Sequence, residues 1–319
     1  MRSQDPHSSR FASQGRLRCE SREANAAATS GEQSCGLCGG GTLRRSESQV
    51  PMSTGAGDDG ITALFPVMRC SVCGSLAVEI APQQMVSHVA AQPFVHPRGY
   101  EFNCEQREPF FRWLIDSYLK GAARDARAKI LDFGSGLGHM TRLLAAAGCS
   151  ATGVEIVDRA RAFALEHAPE ARFVRDLQSL AGEDGTFDAV LAIDSLYYVI
   201  SPKQEIAAMC RLLKRGGTMV IRYSNRIWYY CCRRALGRNM ASSPFGSARW
   251  AFSLRGVVRC LTSCGMTVTR VDYIEHKKKR NGLRSLWYPI SGAIAKLTFG
   301  LLNFAPGVIV CAVKPKAAT

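Results

Sequence analysis

The fold of this chain is decided by one stretch, Lys129-Ile130-Leu131-Asp132-Phe133-Gly134-Ser135-Gly136-Leu137-Gly138-His139. Its first half is an apolar strand, and three glycines at alternate positions follow it. An amphipathic run at residues 141–147 then predicts a helix. Glycine allows the sharp backbone turn of such a connection, and it leaves bare peptide for a ligand. Because a dinucleotide fingerprint spaces its third glycine one residue further along, this turn departs from the nicotinamide pattern.

Four further apolar runs follow at spacings that fit alternating strands and helices. They cover residues 151–156, 171–177, 186–194 and 218–223. The first run brings Glu155 to the carboxyl end of a strand, where a carboxylate can accept hydrogen bonds from both hydroxyls of a ribose. The second carries Asp176, and the third is almost wholly apolar and closes with Asp194, as suits a buried parallel strand. This order predicts an α/β fold with a doubly wound sheet.

With this ordered set the chain resembles the class I S-adenosylmethionine-dependent methyltransferases over residues 100–315. The resemblance implies a Rossmann-like, seven-stranded sheet with an antiparallel last strand at residues 307–313. It also implies S-adenosylmethionine as the cofactor. The residues that it assigns to the cofactor are Asp132, Gly134, Ser135, Gly136 and Gly138 around the methionine part, Glu155 at the ribose, and Ile156, Asp176 and Leu177 at the adenine.

The resemblance further implies a lid over the cofactor. A helix is predicted between Glu101 and Lys120, and in similar enzymes this segment folds over the site. Tyr100, just ahead of the helix, is therefore predicted to form a wall of the cofactor site. His139 begins the helix after the glycine turn and is interpreted as a first-turn residue without a role in the reaction.

Methyl transfer from a sulfonium is an in-line displacement, so alignment and exclusion of water matter most. A hydroxyl or amine acceptor also needs a base for its proton. Asp194, beyond the apolar run of the fourth strand, is the best-placed acid. Members of the family often carry Glu-His just past that point, whereas this chain has Tyr197 and Tyr198. Asp194 and Tyr197 are the candidate catalytic residues, with helix capping and packing as their structural alternatives.

Two pairs of cysteines have the spacing of metal-binding knuckles. Cys35 and Cys38, and again Cys70 and Cys73, are each followed by a glycine. Each pair can hold one side of a tetrahedral Zn²⁺. Methyltransferases of sugar and cell-surface polymer pathways look similar, with a zinc-ribbon segment before the cofactor domain. A structural zinc within residues 35–80 is one interpretation. In the other, the first pair belongs to the disordered leader, and Cys70 and Cys73 are buried small residues.

The 319 residues, 46% of them hydrophobic, are enough for one α/β domain with appendages. Residues 1–60 are rich in Ser, Gly and Arg, and we expect a mostly disordered leader there. Residues 1–34 contain no apolar core of the signal-peptide type. The thirteen cysteines are therefore expected to be reduced thiols, and the protein is expected to be cytoplasmic.

The positive charge is concentrated in the last third of the chain. Residues 222–319 hold 17 lysines and arginines against 2 acids, which equals the net charge of +15 of the whole chain. Such an excess favours an anionic partner. Aromatic and aliphatic side chains among these cations, many of them in a predicted insertion at residues 276–306, suit peripheral contact with an anionic membrane. A solvated charged face is the plain alternative.

These features predict an enzyme that uses S-adenosylmethionine to O-methylate a small molecule, a sugar or a lipid-linked glycan intermediate. One alternative is an RNA-modifying methyltransferase that uses the basic third. Nucleic acid is the less favoured partner, because no separate RNA-binding module is visible and no pair of prolines follows Asp194. Another alternative is a non-catalytic scaffold that retains the fold.

Overall fold

The computed structural model describes residues 33–53, 62–92, 95–98, 100–119, 127–225, 248–274, 290, 293–294, 297–298 and 307–316. Its helices are α1 (Pro82–Ala90), α2 (Tyr100–Tyr118), α3 (His139–Ala146), α4 (Asp158–His167), α5 (Pro202–Leu212) and α6 (Leu254–Ser263), and 3-10 turns occur at Leu177–Leu180 and Leu196–Tyr198. Its strands are β1 (Gln33–Ser34), β2 (Thr42–Ser53), β3 (Thr62–Cys70), β4 (Leu76–Val78), β5 (Lys129–Phe133), β6 (Ser150–Val154), β7 (Arg172–Val174), β8 (Phe187–Ile193), β9 (Leu213–Ser224), β10 (Trp250–Ala251), β11 (Thr267–Ile274) and β12 (Gly307–Val313).

The larger of two sheets has seven strands in the order β11-β12-β9-β8-β5-β6-β7. Strands β5 to β9 pair in parallel, and β12 runs antiparallel to both of its neighbours. Strands β8 and β12 are buried along most of their length, which explains their nearly continuous apolar sequences. The predicted Rossmann-like fold with an antiparallel last strand is confirmed.

The predicted helices and strands occur with small shifts at their ends. The helix after the glycine turn begins at His139, as predicted, and ends at Ala146, one residue before the end of the predicted amphipathic run. The side chain of Ser253 caps α6 by accepting a hydrogen bond from the amide of Gly256 at 3.0 Å, as a serine ahead of a helix does.

The smaller sheet has five antiparallel strands in the order β1-β2-β3-β4-β10. The expectation of disorder over residues 1–60 is wrong for residues 33–53, which form β1 and β2. Val50 and Met52, two residues apart on β2, pack with Val67 of β3. The hairpin therefore has one apolar face, although most of its residues are polar. Residues 1–32 and 54–60 lie outside the described residues.

The structure describes only part of the basic last third of the chain, residues 222–319. The cation clusters at residues 233–234 and 277–280, and most of the predicted insertion at 276–306, lie outside the described residues. Among the helices that the structure describes, none combines the length and the apolar character that a membrane crossing requires.

Candidate functional site

A cavity of about 390 Å³ lies at the carboxyl ends of β5, β6 and β8. The glycine turn between β5 and α3 forms its floor, residues 197–200 form one wall, and side chains of α1 and α2 cover it. Ligands of open α/β sheets bind at this edge. The structure brings all but two of the residues predicted for the cofactor and the reaction into the lining of this cavity. The exceptions are Gly138 and Tyr100.

The amides of the glycine turn are already used within the protein. Those of Gly134 and Ser135 donate to the carbonyl of Val154 at 2.8 and 3.0 Å, and that of Gly138 donates to the carbonyl of Ser135 at 2.9 Å. The amide of Gly136 donates to the carboxylate of Glu155 at 2.9 Å. A bound pyrophosphate needs free amides at such a turn. These four amides therefore offer no phosphate site, which separates the turn from a dinucleotide site in chemistry as well as in sequence.

Two of the turn glycines are required by neighbouring protein atoms. Gly134 has a φ of 75°, and a Cβ there would collide with the Cβ of Ser195. Gly138 has a φ of 81°, and its Cβ would lie 2.9 Å from that of Ala164. A Cβ on Gly136, by contrast, would meet open space. The sequence-based reason for these glycines, close approach of a ligand, is thus incomplete, because two of them allow the turn to pack against the domain.

Glu155 lies immediately after β6 and is 6% exposed. Its Oε2 accepts from the amide of Gly136 at 2.9 Å, and its Oε1 accepts from the amide of Val157 at 2.8 Å. Burial raises the pKa of this carboxyl, and the two amide hydrogen bonds oppose that change. A carboxylate offers about four acceptor directions, so two remain for donors in the cavity. This geometry suits two vicinal hydroxyls.

Asp132, the fourth residue of β5, is buried beneath the turn. The hydroxyl of Thr141 donates to its Oδ2 at 2.7 Å. Burial raises the pKa of Asp132 to about 6, and the nearby Glu155 carboxylate acts in the same direction. Ionisation of Asp132 is therefore costly in this position, and a cationic ligand group such as an ammonium would stabilise the ionised carboxylate.

The opposite end of the cavity is suited to a flat apolar group. Ile156 is 41% exposed, an unusual position for a large apolar side chain, and Leu177 lines the cavity as well. Asp176 uses its Oδ1 to cap the 3-10 turn by accepting from the amide of Ser179 at 2.9 Å. Glu205 of α5 also lines the cavity, and sequence reasoning missed it. Burial and the Asp176 charge raise the pKa of Glu205.

Asp194 and Tyr197 both line the cavity beyond β8. Asp194 has a φ of 57°, which is the left-handed region, and it forms an ion pair with Arg222 of β9. Its Oδ1 has no hydrogen-bond partner among the described residues and is available to a ligand. Tyr197 is buried, and its ring lies 4.7 Å from that of Tyr198. The helix-capping alternative for Asp194 is not observed, because Ser195 is the cap of the 3-10 turn.

His139 lines the cavity, although its sequence position indicated no role. Tyr100 does not line it and instead stacks behind the imidazole at 4.4 Å, so the prediction of Tyr100 as a cavity wall is wrong. Burial and the nearby Arg107 lower the pKa of His139 to about 4, against a hydrogen bond with the Tyr100 backbone. The imidazole is therefore neutral near pH 7. Its Nε2 has no partner among the described residues and is an available acceptor.

The four predicted metal ligands lie together in the smaller sheet. The sulfur atoms of Cys35, Cys38, Cys70 and Cys73 all lie within 4.8 Å of one another, and all four residues are buried. Cys35 Sγ lies 4.0 Å from Cys73 Sγ, and Cys38 Sγ lies 3.7 Å from Cys70 Sγ. A tetrahedral zinc with bonds of about 2.3 Å separates its sulfur ligands by about 3.8 Å. The donor set and its spacing therefore fit a structural zinc. Four thiolates would fill all four coordination positions, so none would remain for the water of a catalytic zinc.

A scan against protein families matches a methyltransferase domain over residues 105–271. Among curated proteins, the ubiquinone biosynthesis O-methyltransferase of Xanthomonas oryzae pv. oryzae is 36% identical over 115 residues, which are 34% of this chain and 48% of that protein. The enzyme with the same name from Pseudomonas aeruginosa is 32% identical over 132 residues, which are 38% of this chain and 57% of that protein. The chain thus spans about half the length of the curated relatives that it matches.

Among solved structures, one S-adenosylmethionine-dependent methyltransferase from Methanosarcina mazei matches with a TM-score of 0.46 and 21% identity. That match covers 63% of this chain and 97% of the other. The likeness concerns the fold alone.

Proposed function

This chain belongs to the methyltransferase domain family, and on that premise we propose that it transfers a methyl group from S-adenosylmethionine to an oxygen atom of a small-molecule acceptor. The observation that carries the proposal is the environment of Glu155. Its carboxylate keeps two acceptor directions for the hydroxyls of a ribose. Four amides of the neighbouring glycine turn already donate hydrogen bonds within the protein, so they offer no site for a phosphate. A nucleoside without a pyrophosphate matches both features.

The residues fit the remaining parts of this cofactor. Asp132 lies beneath the turn, where an α-ammonium group would offset the cost of its buried charge. Ile156 and Leu177 offer apolar surfaces to an adenine. Arg107 of α2 lines the cavity close to His139 and would provide a cation for a carboxylate.

S-adenosylmethionine supplies an electrophilic methyl group. The protein has to hold the acceptor oxygen in line with that methyl group, exclude water and receive the hydroxyl proton. Asp194 Oδ1 and His139 Nε2 are two buried acceptor atoms in the cavity without a partner among the described residues. Either atom can orient a hydroxyl and take its proton, and the ion pair with Arg222 holds Asp194 in place.

Oxygen as the accepting atom is supported by the names of the matched relatives, which are O-methyltransferases. A sugar or a lipid-linked glycan at an anionic membrane surface stays our proposal for the acceptor, and it rests on the composition of residues 222–319. Co-sedimentation with anionic vesicles, measured beside binding to bulk tRNA over a salt series, tests it. We also propose a cytoplasmic location, which ten free cysteines in the described part of the chain support.

Isothermal titration of the full chain with S-adenosylhomocysteine tests the cofactor. We expect saturable binding that weakens at least ~30-fold in Glu155→Ala, because hydrogen bonds to a charged group are lost. Glu155→Gln should fall between the two, since its amide oxygen keeps one acceptor. Glu166→Ala, an exposed glutamate on α4, is the matched control and should bind like the parent. Absence of binding by the parent protein would refute the proposal and leave a scaffold.

A further inference from the structure

The four-cysteine site is linked by hydrogen bonds and strand pairing to the residues that hold one wall of the cavity. This wall, defined as residues 197–200, comprises the end of the 3-10 turn after β8 and the two residues that follow, and all four of its residues line the cavity. Two of its backbone carbonyls accept hydrogen bonds from Arg249 and from Trp250 of β10, the strand that completes the smaller sheet. The segment that carries the first cysteine pair is hydrogen-bonded to Ser201 and Lys203, just after the wall.

The first cysteine pair reaches the end of the wall through Gly36, which lies between Cys35 and Cys38. The carbonyl of Gly36 accepts from the amide of Lys203 at 2.8 Å and from the hydroxyl of Ser201 at 3.5 Å. A Cβ on Gly36 would lie 3.2 Å from the indole of Trp250, so backbone and ring are in close contact there. A displacement of this cysteine loop would therefore disturb both the segment that follows the wall, at Ser201 and Lys203, and the Trp250 side chain.

The second cysteine pair reaches the wall through β4 and β10. Cys73 accepts at its carbonyl from the hydroxyl of Ser253 at 2.6 Å, and β4 pairs with β10 through Ala77 and Trp250. Arg249, just before β10, and Trp250, its first residue, then hold the wall. The amide of Arg249 donates to the carbonyl of Tyr197 at 2.9 Å.

The second of these residues is Trp250. Its Nε1–H donates to the carbonyl of Val199 at 2.9 Å, and the side chain is 1% exposed. Arg249 is fixed in turn, because its guanidinium donates to the carbonyl of Ile80 at 2.7 Å and its own carbonyl accepts from Val78 at 2.8 Å. The carbonyls of Tyr197 and Val199 thus both accept from residues at or next to β10. This strand pairs with β4, which follows the second cysteine pair in the chain.

We propose that metal occupancy of the Cys35, Cys38, Cys70 and Cys73 site controls the cavity, with Arg249 and Trp250 as positioning residues that hold the wall. Zinc joins two loops that lie far apart in sequence, and the binding energy of a structural zinc is folding energy for the segment around it. Loss of the ion would free both loops and loosen the segments that hold the wall. This inference rests on the proposed function, because the ligand that the wall faces is taken to be the cofactor or its acceptor.

The test uses the full chain loaded with Zn²⁺, the same protein after chelation, and the chelated protein after Zn²⁺ is restored. We expect one zinc per chain. Chelation should lower the affinity for S-adenosylhomocysteine at least ~10-fold and speed amide hydrogen exchange at residues 195–203, and restored zinc should reverse both. Exchange in β5 and β6 should stay slow, which distinguishes a loosened wall from global unfolding.

Two variants keep the test decisive if the chelated protein unfolds. Trp250→Phe removes the N–H donor to Val199 but keeps an aromatic ring, so it should retain one zinc and lose about fivefold in affinity, the worth of one hydrogen bond. Trp113→Phe, on the exposed side of α2, is its matched control and should change neither value.

The outcomes separate the two proposals. Unchanged affinity and unchanged exchange at residues 195–203 after zinc removal would overturn the role of the metal site, and so would a parent protein that takes up no zinc. A zinc-loaded parent that binds no S-adenosylhomocysteine would instead refute the proposed function, and the exchange measurement would still report on the link between metal and wall.

Discussion

Asp194 and Arg222 are joined twice, by an ion pair between their side chains and by a hydrogen bond of 2.9 Å from the Asp194 amide to the Arg222 carbonyl. The Arg222 side chain is 4% exposed, and that of Asp194 is 29% exposed at the cavity edge. The parallel register of β8 and β9 places Ile193 opposite Arg222, so the sheet itself determines the pair. A buried guanidinium and a carboxylate held in left-handed backbone are thus parts of one feature.

Removing one partner of this pair should cost more than removing both. Asp194→Asn keeps the left-handed conformation, which asparagine tolerates, but it removes the negative charge that pairs with the buried Arg222 guanidinium. We expect a loss of about 3 kcal/mol in the free energy of unfolding for Asp194→Asn. Adding Arg222→Met should recover much of that loss, whereas methyl transfer should stay low in both variants. Urea titrations give the stabilities, and a double variant less stable than the single one would contradict the account.

Asp132 should make the stability of the protein depend on pH. Its folded-state pKa of about 6 lies above the ordinary 3.8, so the folded state binds the proton more tightly than the unfolded state. The stability that protonation adds is complete below pH ~3.8 and is lost as the pH rises through 6. At pH 7 the buried charge costs at most about 3 kcal/mol.

Asp132→Asn should therefore be more stable than the parent protein at pH 7 and about equal to it near pH 4. The amide oxygen of asparagine can still accept from Thr141, so packing changes little. Urea titrations across this pH range provide the measurement, and Asp116→Asn, an exposed position on α2, is the control. A stability difference that does not vary with pH would rule out this explanation. Cofactor affinity should fall in the same variant.

His139 should act on stability in the opposite sense. Burial lowers its folded-state pKa to about 4 from 6.5, so the unfolded state binds more protons between these values. Stability is therefore complete above pH 6.5 and decreases as the pH falls towards 4. His139→Phe preserves an aromatic ring against Tyr100, and it should abolish this part of the acid dependence. Thermal unfolding at pH 5 and pH 7 measures it, with equal slopes in parent and variant as the contrary result.

The two kinds of glycine in the turn should differ under the same substitution. Gly136→Ala places a methyl group in open space, so it should cost only the left-handed backbone, about 1 kcal/mol. Gly134→Ala carries the same backbone cost and also collides with Ser195, so it should lose at least about 2 kcal/mol more. Chemical denaturation of the two variants compares them directly. Equal costs would show that the collision is relieved by a shift of the Ser195 loop.

Much of the larger sheet could be predicted from sequence because its signals are local. A buried parallel strand has a continuous apolar sequence, a turn into left-handed backbone needs glycine, and Glu155 follows the second strand directly. The residues at the carboxyl ends of such strands must meet at one edge, so the residues that line the cofactor cavity could be predicted, except that Gly138 and Tyr100 do not line it.

Features that depend on contacts between distant residues could not be predicted. The pairing of Asp194 with Arg222 follows from strand register, which a single sequence does not show. The role of His139 depends on Tyr100 and Arg107, both on another helix. The hairpin of β2 and β3 was missed because its apolar face consists of few residues among many polar ones, and only pairing with β4 and packing by α1 reveal that face.

The origin of β10 has a consequence for how the chain acquires its shape during synthesis. The cysteine-bearing sheet receives its closing strand from Trp250 and Ala251, which a ribosome adds only after it has made β5 to β9. The strands around both cysteine pairs therefore form an incomplete sheet with an unpaired edge until most of the cofactor domain has been synthesised. A fragment cut between the two halves would leave that edge bare and prone to self-association.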